Sequence, residues 1–242
     1  MQGTIRLFQF RGIQVYLHFS WFIAAAYMFT QRAGLYHSPI WAVYEYIALF
    51  GIVLLHEFGH SLACRQTGGS ADQIVLWPLG GVAFVNPPRR PGAVLWSIAA
   101  GPLVNVALVP LLEFLWIFAR NAGWASEAPD TVRLIYNIRA INFSLLVFNL
   151  LPVYPLDGGQ ILQALLWFPL GEIRSLQIAS VIGIVGAVAL AGLAYLMRID
   201  FIWIAILAFF LVSRAISGWQ YAKAMALAEK NAAVAPPFMP RP

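Results

Sequence analysis

The sequence predicts an all-α polytopic membrane protein with about six transmembrane helices and one short, membrane-associated β-hairpin. The first observation behind this prediction is composition: hydrophobic residues make up 61% of the 242-residue chain and charged residues only 10%, with a mean hydropathy of +0.75. A soluble domain is about half apolar and a quarter charged. The excess of apolar side chains is too large for one core, and it is typical of a chain whose solvent is the bilayer.

The second observation is that the apolar residues fall into six long runs. They cover residues 13–30, 41–63, 92–119, 135–151, 176–197 and 201–219. A helix needs about 20 residues to cross the hydrocarbon layer, and each run approaches or exceeds that length. We expect residues 1–222 to form one integral-membrane domain and residues 223–242, which end in a proline-rich segment, to form a flexible cytoplasmic tail.

Residues 73–85 differ from the other connections between apolar runs. Two short β-prone runs, QIVLW and VAFV, flank Gly80 and Gly81. This composition predicts a β-hairpin with its turn at the two glycines. The hairpin is apolar but too short to span the bilayer, so we expect it to lie at the membrane interface or against the helices.

The basic residues indicate the orientation of the chain. With six spans, both termini lie on one side, and ten of the 15 Lys and Arg residues fall on that side. The positive-inside rule therefore places both termini in the cytoplasm. The same residues are scattered between apolar runs without a block of like charge, which argues against a nucleic-acid partner.

The second run contains the sequence HEFGH, which places three polar side chains inside an apolar helix. His56 and His60 are four residues apart and share one helix face, where they can bind one metal ion with Glu57 beside them. A charged residue at the bilayer centre costs about 2.5–3.5 kcal/mol. A bound metal ion would compensate this cost, and interhelical hydrogen bonding is the alternative interpretation.

A catalytic zinc site has three protein ligands and one open position. Asp157, in the sequence LDGG after the fourth run, lies by the predicted topology at the same depth as the two histidines. The adjacent Gly158 and Gly159 predict a tight turn beside it. His37 is predicted on the opposite side of the membrane and is a poor ligand, whereas His18 is interpreted as a packing residue.

These motifs resemble those of the site-2 protease family of intramembrane zinc metalloproteases. HEFGH followed by NLLPVYPLDGG is similar to the family patterns HExxH and NxxPxxxLDG, and GPLVN in the third run is similar to a further family signature. The chain resembles a minimal form of the family without PDZ or CBS domains. The resemblance implies a catalytic core formed by the second, third and fourth spans.

The resemblance also implies roles for individual residues. His56, His60 and Asp157 would bind one Zn²⁺ ion, and Glu57 would be the catalytic base. Asn149 would hold the substrate or its oxyanion, and Asn105 is a weaker candidate for the same contact. Interhelical hydrogen bonding is the alternative role for both asparagines.

The sequence therefore predicts an intramembrane metalloprotease that cleaves within or near transmembrane segments, in regulated intramembrane proteolysis. The expected substrates are single-span membrane proteins or remnant signal peptides. The expected location is a prokaryotic inner membrane with the active site towards the cytoplasm. The hairpin around Gly80 and Gly81 is predicted to pair with an unwound substrate by strand addition.

Two other functions compete with this prediction. One is a zinc transporter that uses His56, His60 and Asp157 as a transit site, although transport needs no base beside the first histidine. The remaining carboxylates of the apolar runs, Glu45 and Glu113, are isolated in sequence. The other is a pseudoprotease that binds membrane helices without cleaving them.

Overall fold

The computed structural model describes residues 3–77, 80–198 and 201–234, which form a mainly helical chain. The elements in chain order are β1 (Thr4–Phe10), β2 (Ile13–His18), α1 (Ser20–Arg32), a 3-10 turn (Ala33–Leu35), α2 (Ile40–Gln66), β3 (Ser70–Trp77), β4 (Gly80–Asn86), α3 (Pro91–Asn121), α4 (Trp124–Glu127), α5 (Pro129–Leu150), α6 (Asp157–Leu170), α7 (Glu172–Leu196) and α8 (Phe201–Val234).

The predicted fold class is confirmed. Within the described residues, five helices are long and apolar enough to cross a membrane, and one small sheet accompanies them. The five are α2, α3, α5, α7 and the Ile204–Asn231 part of α8. The chain is therefore a polytopic, mainly α-helical membrane protein.

The prediction of a helical first span over residues 13–30 is wrong in its N-terminal part. Ile13–His18 forms strand β2, and only Ser20–Arg32 is helical. Along β2 the side chains of Ile13, Val15 and Leu17 are buried. This alternation has the period of a strand, and Gln14 and Tyr16 lie between the buried residues. The sequence IQVYLH therefore carried a strand signal, which the prediction of one continuous helical span overlooked.

β2 and α1 together run antiparallel to α2. At one end, Arg65 of α2 donates hydrogen bonds to the carbonyl oxygens of Arg11 and Gly12. At the other end, Arg32 forms an ion pair with Glu45, with 3.5 Å between Nε and Oε1. The part of α2 between Glu45 and Arg65 is about 30 Å long, so the strand and the short helix extend over the thickness of a bilayer core.

The sheet has the order β1-β2-β3-β4, with β2 and β3 parallel and the other two pairs antiparallel. β3 and β4 form the predicted hairpin, within a larger sheet that the sequence did not predict. Gly80 and Gly81 are not its turn, because they belong to β4 and pair with Trp77 and Leu76. Glycine is tolerated in a strand where another group approaches closely.

One face of the sheet packs against α2. Ile13, Val15, Ile74 and Leu76 are fully buried in a cluster with Val53 of α2. Leu54, Phe58 and Leu62 of the same helix pack against this cluster. The sheet is therefore fixed to the turns of α2 that carry the HEFGH sequence.

The chain divides into two compact units, one ending at Asn149 and the other beginning at Leu150. In the second unit, Val153 packs in a buried cluster with Ala187 of α7 and Leu211 of α8. Gly183 and Gly218 leave space for Tyr154, because a Cβ at either glycine would lie within 2.9 Å of an atom of that tyrosine.

Two predictions for the second unit are wrong. Asp157–Leu170 forms helix α6, so Gly158 and Gly159 lie in its first turn instead of in a loop. Residues 223–234, predicted as part of a flexible tail, continue helix α8. The sequence KAMALAEK consists of strong helix formers, which explains the continuation; residues 235–242 lie outside the described residues.

Candidate metal centre

Helix α2 presents His56, Glu57 and His60 at positions that are almost entirely buried. Their exposed fractions are 4%, 5% and 6%. The spacing of four residues places both imidazoles on one helix face, and their Nε2 atoms are 3.1 Å apart. The structure therefore brings the two predicted histidine ligands together.

The partners of the two Nδ1 atoms decide how the imidazoles are protonated. Nδ1 of His60 is 2.9 Å from the backbone carbonyl oxygen of Ser97, which can only accept. Nδ1 of His56 is 2.6 Å from Oδ1 of Asn105. Both Nδ1 atoms therefore carry the proton and donate, and both Nε2 atoms of the neutral rings present a lone pair.

In these tautomers the two Nε2 atoms, 3.1 Å apart, can both serve as ligands of one metal ion. Two Zn–N bonds of about 2.0–2.1 Å at a tetrahedral angle would place the nitrogens about 3.3–3.4 Å apart. The observed separation is close to that value. The histidine pair therefore fits a zinc ion in spacing, ring orientation and tautomer.

Helix α3 is shaped to accept this face of α2. A Cβ at Gly101 would lie 2.2 Å from Nε2 of His60, so only glycine leaves room for the imidazole. A Cβ at Gly59 of α2 would lie 2.6 Å from the carbonyl oxygen of Ala100. Gly101 and Asn105 are four residues apart and lie on one face of α3. Gly101 leaves space for the ring of His60, and Asn105 hydrogen-bonds His56.

The edge of the sheet reaches Glu57. The backbone N–H of Ala83 in β4 donates to Oε2 of Glu57 at 2.9 Å. β4 is the last strand in the order of the sheet, and the bond to Glu57 shows that the N–H of Ala83 points away from β3. The candidate catalytic base therefore lies beside the outer edge of β4.

Asp157 belongs to the second unit, where it is the first residue of α6 and is partly buried. The two glycines after it allow the preceding loop to fold against the first turn. A Cβ at Gly158 would lie 2.3 Å from the carbonyl oxygen of Leu150, and one at Gly159 would lie 2.3 Å from the backbone nitrogen of Tyr154. The LDGG sequence thus holds the carboxylate at a helix N-terminus.

The remaining candidates have other positions. Asn149 is the penultimate residue of α5 and is partly buried. Asn105 is fully buried and bonds His56 and Asn142, which is the interhelical role that the sequence left as the alternative. His18 stacks on Trp77 at 3.8 Å and hydrogen-bonds Ser20, and His37 bonds Asp130.

Sequence reasoning missed two groups at the centre. One is the backbone N–H of Ala83, which no side-chain pattern can indicate. The other is Asn142, whose Nδ2 donates to the backbone oxygen of Asn105 at 3.0 Å. Its signal in the sequence was an amide inside an apolar helix, a position that requires a partner in the membrane.

We predict that Gly101→Ala displaces the ring of His60 and lowers the affinity for zinc, because the added Cβ would overlap Nε2. A disturbed ligand position costs about 10–100-fold in metal affinity. The measurement is zinc binding by the purified protein in competition with a chromophoric chelator.

Gly51→Ala is the matched control, because it lies in a helix of the same unit and its added Cβ meets no atom within 4 Å. The control should bind zinc as the wild type does and should be slightly more stable, since alanine favours a helix by about 1 kcal/mol over glycine. Wild-type zinc affinity in Gly101→Ala would contradict the assigned role of this glycine.

Comparison with known proteins agrees with these features. The sequence model of Peptidase family M50 matches residues 44–132 and 117–193. A zinc metalloprotease of Methanocaldococcus jannaschii is 35% identical over 185 residues, which are 76% of this chain and 51% of that protein. Stage IV sporulation protein FB of Bacillus subtilis is 29% identical over 157 residues, 62% of this chain and 46% of that protein.

The chain thus spans about half the length of these curated relatives. Among solved structures, the site-2 protease from Methanocaldococcus jannaschii matches with a TM-score of 0.63 and 29% identity, over 89% of this chain and 95% of that one. The family match includes HEFGH, GPLVN and LDGG and covers more than half of the chain. The chain therefore belongs to Peptidase family M50.

Proposed function

We propose that this chain is an intramembrane zinc metalloprotease that hydrolyses peptide bonds within or near transmembrane segments of membrane-anchored substrates. The observation that carries the proposal is the pair of buried imidazoles, with their Nε2 atoms 3.1 Å apart, next to a buried carboxylate on a membrane-spanning helix. This arrangement combines two side chains that can bind a metal with a proton acceptor, on a helix that is long and apolar enough to cross a membrane.

His56, His60 and Asp157 are the proposed ligands of one zinc ion, and each offers one ligand atom of a type that zinc binds. The tautomers fixed by Ser97 and Asn105 support the two histidines. The similarity to a protein named as a zinc metalloprotease supports the choice of metal. Three protein ligands leave the fourth tetrahedral position for water or substrate.

Glu57 is the proposed general base. Zinc, when bound, polarises the scissile carbonyl and lowers the pKa of the attacking water towards 7. The carboxylate of Glu57 takes a proton from that water and passes it to the nitrogen of the leaving amine. The burial of Glu57 keeps competing water away from this transfer, and Asn149 is the proposed side-chain donor to the oxyanion.

The outer edge of β4 is the proposed docking site for the unwound substrate. Strand addition uses backbone N–H and C=O groups that point away from the sheet. The N–H of Ala83 points away from β3 and donates to Glu57 in this structure. A strand added here would therefore pass the catalytic base. The docking site would therefore be centred on Ala83 and not on Gly80 and Gly81. The proposed substrates are single-span proteins or remnant signal peptides.

A zinc transporter would need further polar groups along a path through the membrane. Glu45 and Glu113 are instead ion-paired within the helices, with Arg32 and Arg139 respectively. Glu45 also accepts hydrogen bonds from Tyr36 and Asn137. These pairings are those of helix packing, which favours the hydrolase over the transporter.

The proposed orientation has both termini and the active site towards the cytoplasm of a prokaryotic cell. It rests on the excess of Lys and Arg on that side and on the antiparallel run of β2 and α1 along α2. The second support is consistent with a chain that crosses the membrane before α2 begins.

We predict that Glu57→Gln lowers proteolysis by about 100-fold or more, because the amide cannot accept the proton, while zinc content stays unchanged. The measurement is cleavage of a single-span substrate in reconstituted vesicles, with a chelator-treated wild type and His56→Ala as controls. Cleavage by Glu57→Gln at the wild-type rate would remove Glu57 as base, and cleavage by zinc-free protein would refute the proposed function.

We predict that Ala83→Pro blocks cleavage of the same substrate without loss of zinc. Proline removes the outward N–H of β4 but no hydrogen bond to β3, and it is tolerated on edge strands. Ala83→Ser keeps the N–H and should cleave normally. Normal cleavage by Ala83→Pro would exclude docking through this N–H.

We predict that Lys230→Cys reacts with a membrane-impermeant maleimide in inside-out vesicles and not in right-side-out vesicles. Lys230 is exposed near the end of α8, and the wild-type Cys64 is buried, so the background should be low. Labelling only in right-side-out vesicles would reverse the proposed orientation.

A further inference from the structure

A continuous chain of buried hydrogen bonds joins α5 through α3 to His56 on α2. Nδ2 of Asn142 donates to the backbone oxygen of Asn105 at 3.0 Å, and Nδ2 of Asn105 donates to Oδ1 of Asn142 at 2.9 Å. Oδ1 of Asn105 then lies 2.6 Å from Nδ1 of His56. The three residues are 1%, 0% and 4% exposed, so water does not compete for these groups.

The direction of every bond in this chain follows from its first link. A backbone carbonyl oxygen can only accept, so the amide nitrogen of Asn142 must face Asn105 O and its Oδ1 must face the side chain of Asn105. Asn105 must therefore donate to that oxygen from Nδ2, which leaves its Oδ1 to accept a hydrogen bond from His56. An oxygen in that place accepts only, so Nδ1 of His56 carries the proton and Nε2 is left as a ligand.

The tautomer of His60 is fixed by a backbone group and not by a side chain. Its Nδ1 bonds directly to the backbone oxygen of Ser97, and a backbone oxygen cannot rotate to present a donor. The amide of Asn105 can rotate: turned by 180°, it would present Nδ2 to Nδ1 of His56 and favour the tautomer with the proton on Nε2. That tautomer cannot bind a metal through Nε2.

We infer that Asn142 is a positioning residue that fixes the amide of Asn105 and thereby holds His56 in its metal-binding tautomer. The inference rests on the proposed function, in which His56 is a zinc ligand. Asn142 touches neither metal nor substrate; it acts through Asn105. Residues that orient a ligating histidine in this way are worth about 10–100-fold in metal affinity.

Asn137 provides the matched control on the same helix. Its Nδ2 donates to Tyr36 and Glu45, so it also bonds α5 to the α1–α2 region through a side-chain amide. None of these bonds involves α3 or a histidine. A loss of helix packing alone would therefore affect Asn137→Leu and Asn142→Leu alike, whereas a loss of tautomer control would affect only the second.

The experiment measures the affinity of the full-length, chelator-stripped protein in detergent for Zn²⁺ alone, by competition with a chromophoric chelator. The visible spectrum of the Co²⁺-substituted protein reports the ligand geometry. Asn142→Leu should bind Zn²⁺ about 10–100-fold more weakly than the wild type, and Asn137→Leu should bind it equally well. Equal affinity of Asn142→Leu and the wild type would overturn the inference.

A double-mutant cycle separates tautomer control from general damage. Aspartate at position 105 can only accept from Nδ1 of His56, so in the Asn105→Asp background the tautomer no longer depends on Asn142. Adding Asn142→Leu to Asn105→Asp should therefore change zinc affinity by about twofold or less. A full 10–100-fold loss in that background would also overturn the inference.

Asn142→Asp covers the case in which leucine prevents folding. Its carboxyl group has nearly the size of the amide. In its protonated form it donates to the backbone oxygen of Asn105 and accepts from Nδ2 of Asn105, as the amide does, so this variant should keep the zinc affinity near that of the wild type. A loss as large as that expected for leucine would count against the inference. His56→Ala distinguishes a failure of the proposed function from a failure of the role of Asn142. Unchanged zinc binding by His56→Ala would contradict the proposed function. Weaker zinc binding by His56→Ala, with no loss of affinity in Asn142→Leu, would contradict only the role of Asn142.

Discussion

The close approach of α2 and α3 is the constraint on which the candidate centre depends. Gly59 lets α2 approach the backbone of Ala100, and Gly101 opens the space that the ring of His60 occupies. At this separation, the carbonyl of Ser97 and the amide of Asn105 reach the two Nδ1 atoms. Any side chain larger than hydrogen at these glycines would separate the helices and remove the donors and acceptors together.

The same physical rule governs the other polar side chains of the membrane helices. A polar group in hydrocarbon must find a partner inside the protein. Glu45 forms an ion pair with Arg32 and accepts hydrogen bonds from Tyr36 and Asn137. Burial and the hydrogen bond to Glu45 raise the pKa of Tyr36, so its hydroxyl stays protonated and donates. Glu113 likewise pairs with Arg139. The polar residues thus connect α1, α2, α3 and α5 within the first unit.

Glu57 differs from these packing carboxylates in where it points. It accepts a hydrogen bond from the backbone N–H of Ala83 in the edge strand β4. The sheet that carries this strand is held on α2 by a cluster of Ile13, Val15, Ile74 and Leu76. The sheet therefore places the backbone N–H of Ala83 beside the proposed base, at the edge where the proposed extended substrate would lie.

The sequence by itself determined the solvent, the approximate positions of five long helices and the residues proposed for the site. Apolar composition and run length follow directly from the thickness of the bilayer, and HEFGH, GPLVN and LDGG are local patterns that can be read without coordinates. The long helices α2, α3, α5, α7 and α8 therefore coincide with five of the six predicted spans, with longer bounds at several ends.

Only the tertiary structure decided how those patterns meet. Strand β2 pairs with β3, more than 50 positions later in the chain, and although IQVYLH alternates with the period of a strand, nothing in it indicates which segment it pairs with. The helical course of residues 157–170 depends on the packing of the loop before it against two glycines. The partners of Nδ1 in His56 and His60 lie on another helix. Hydrogen bonds between distant segments leave no spacing in the sequence, because their geometry is set by packing and not by chain connectivity.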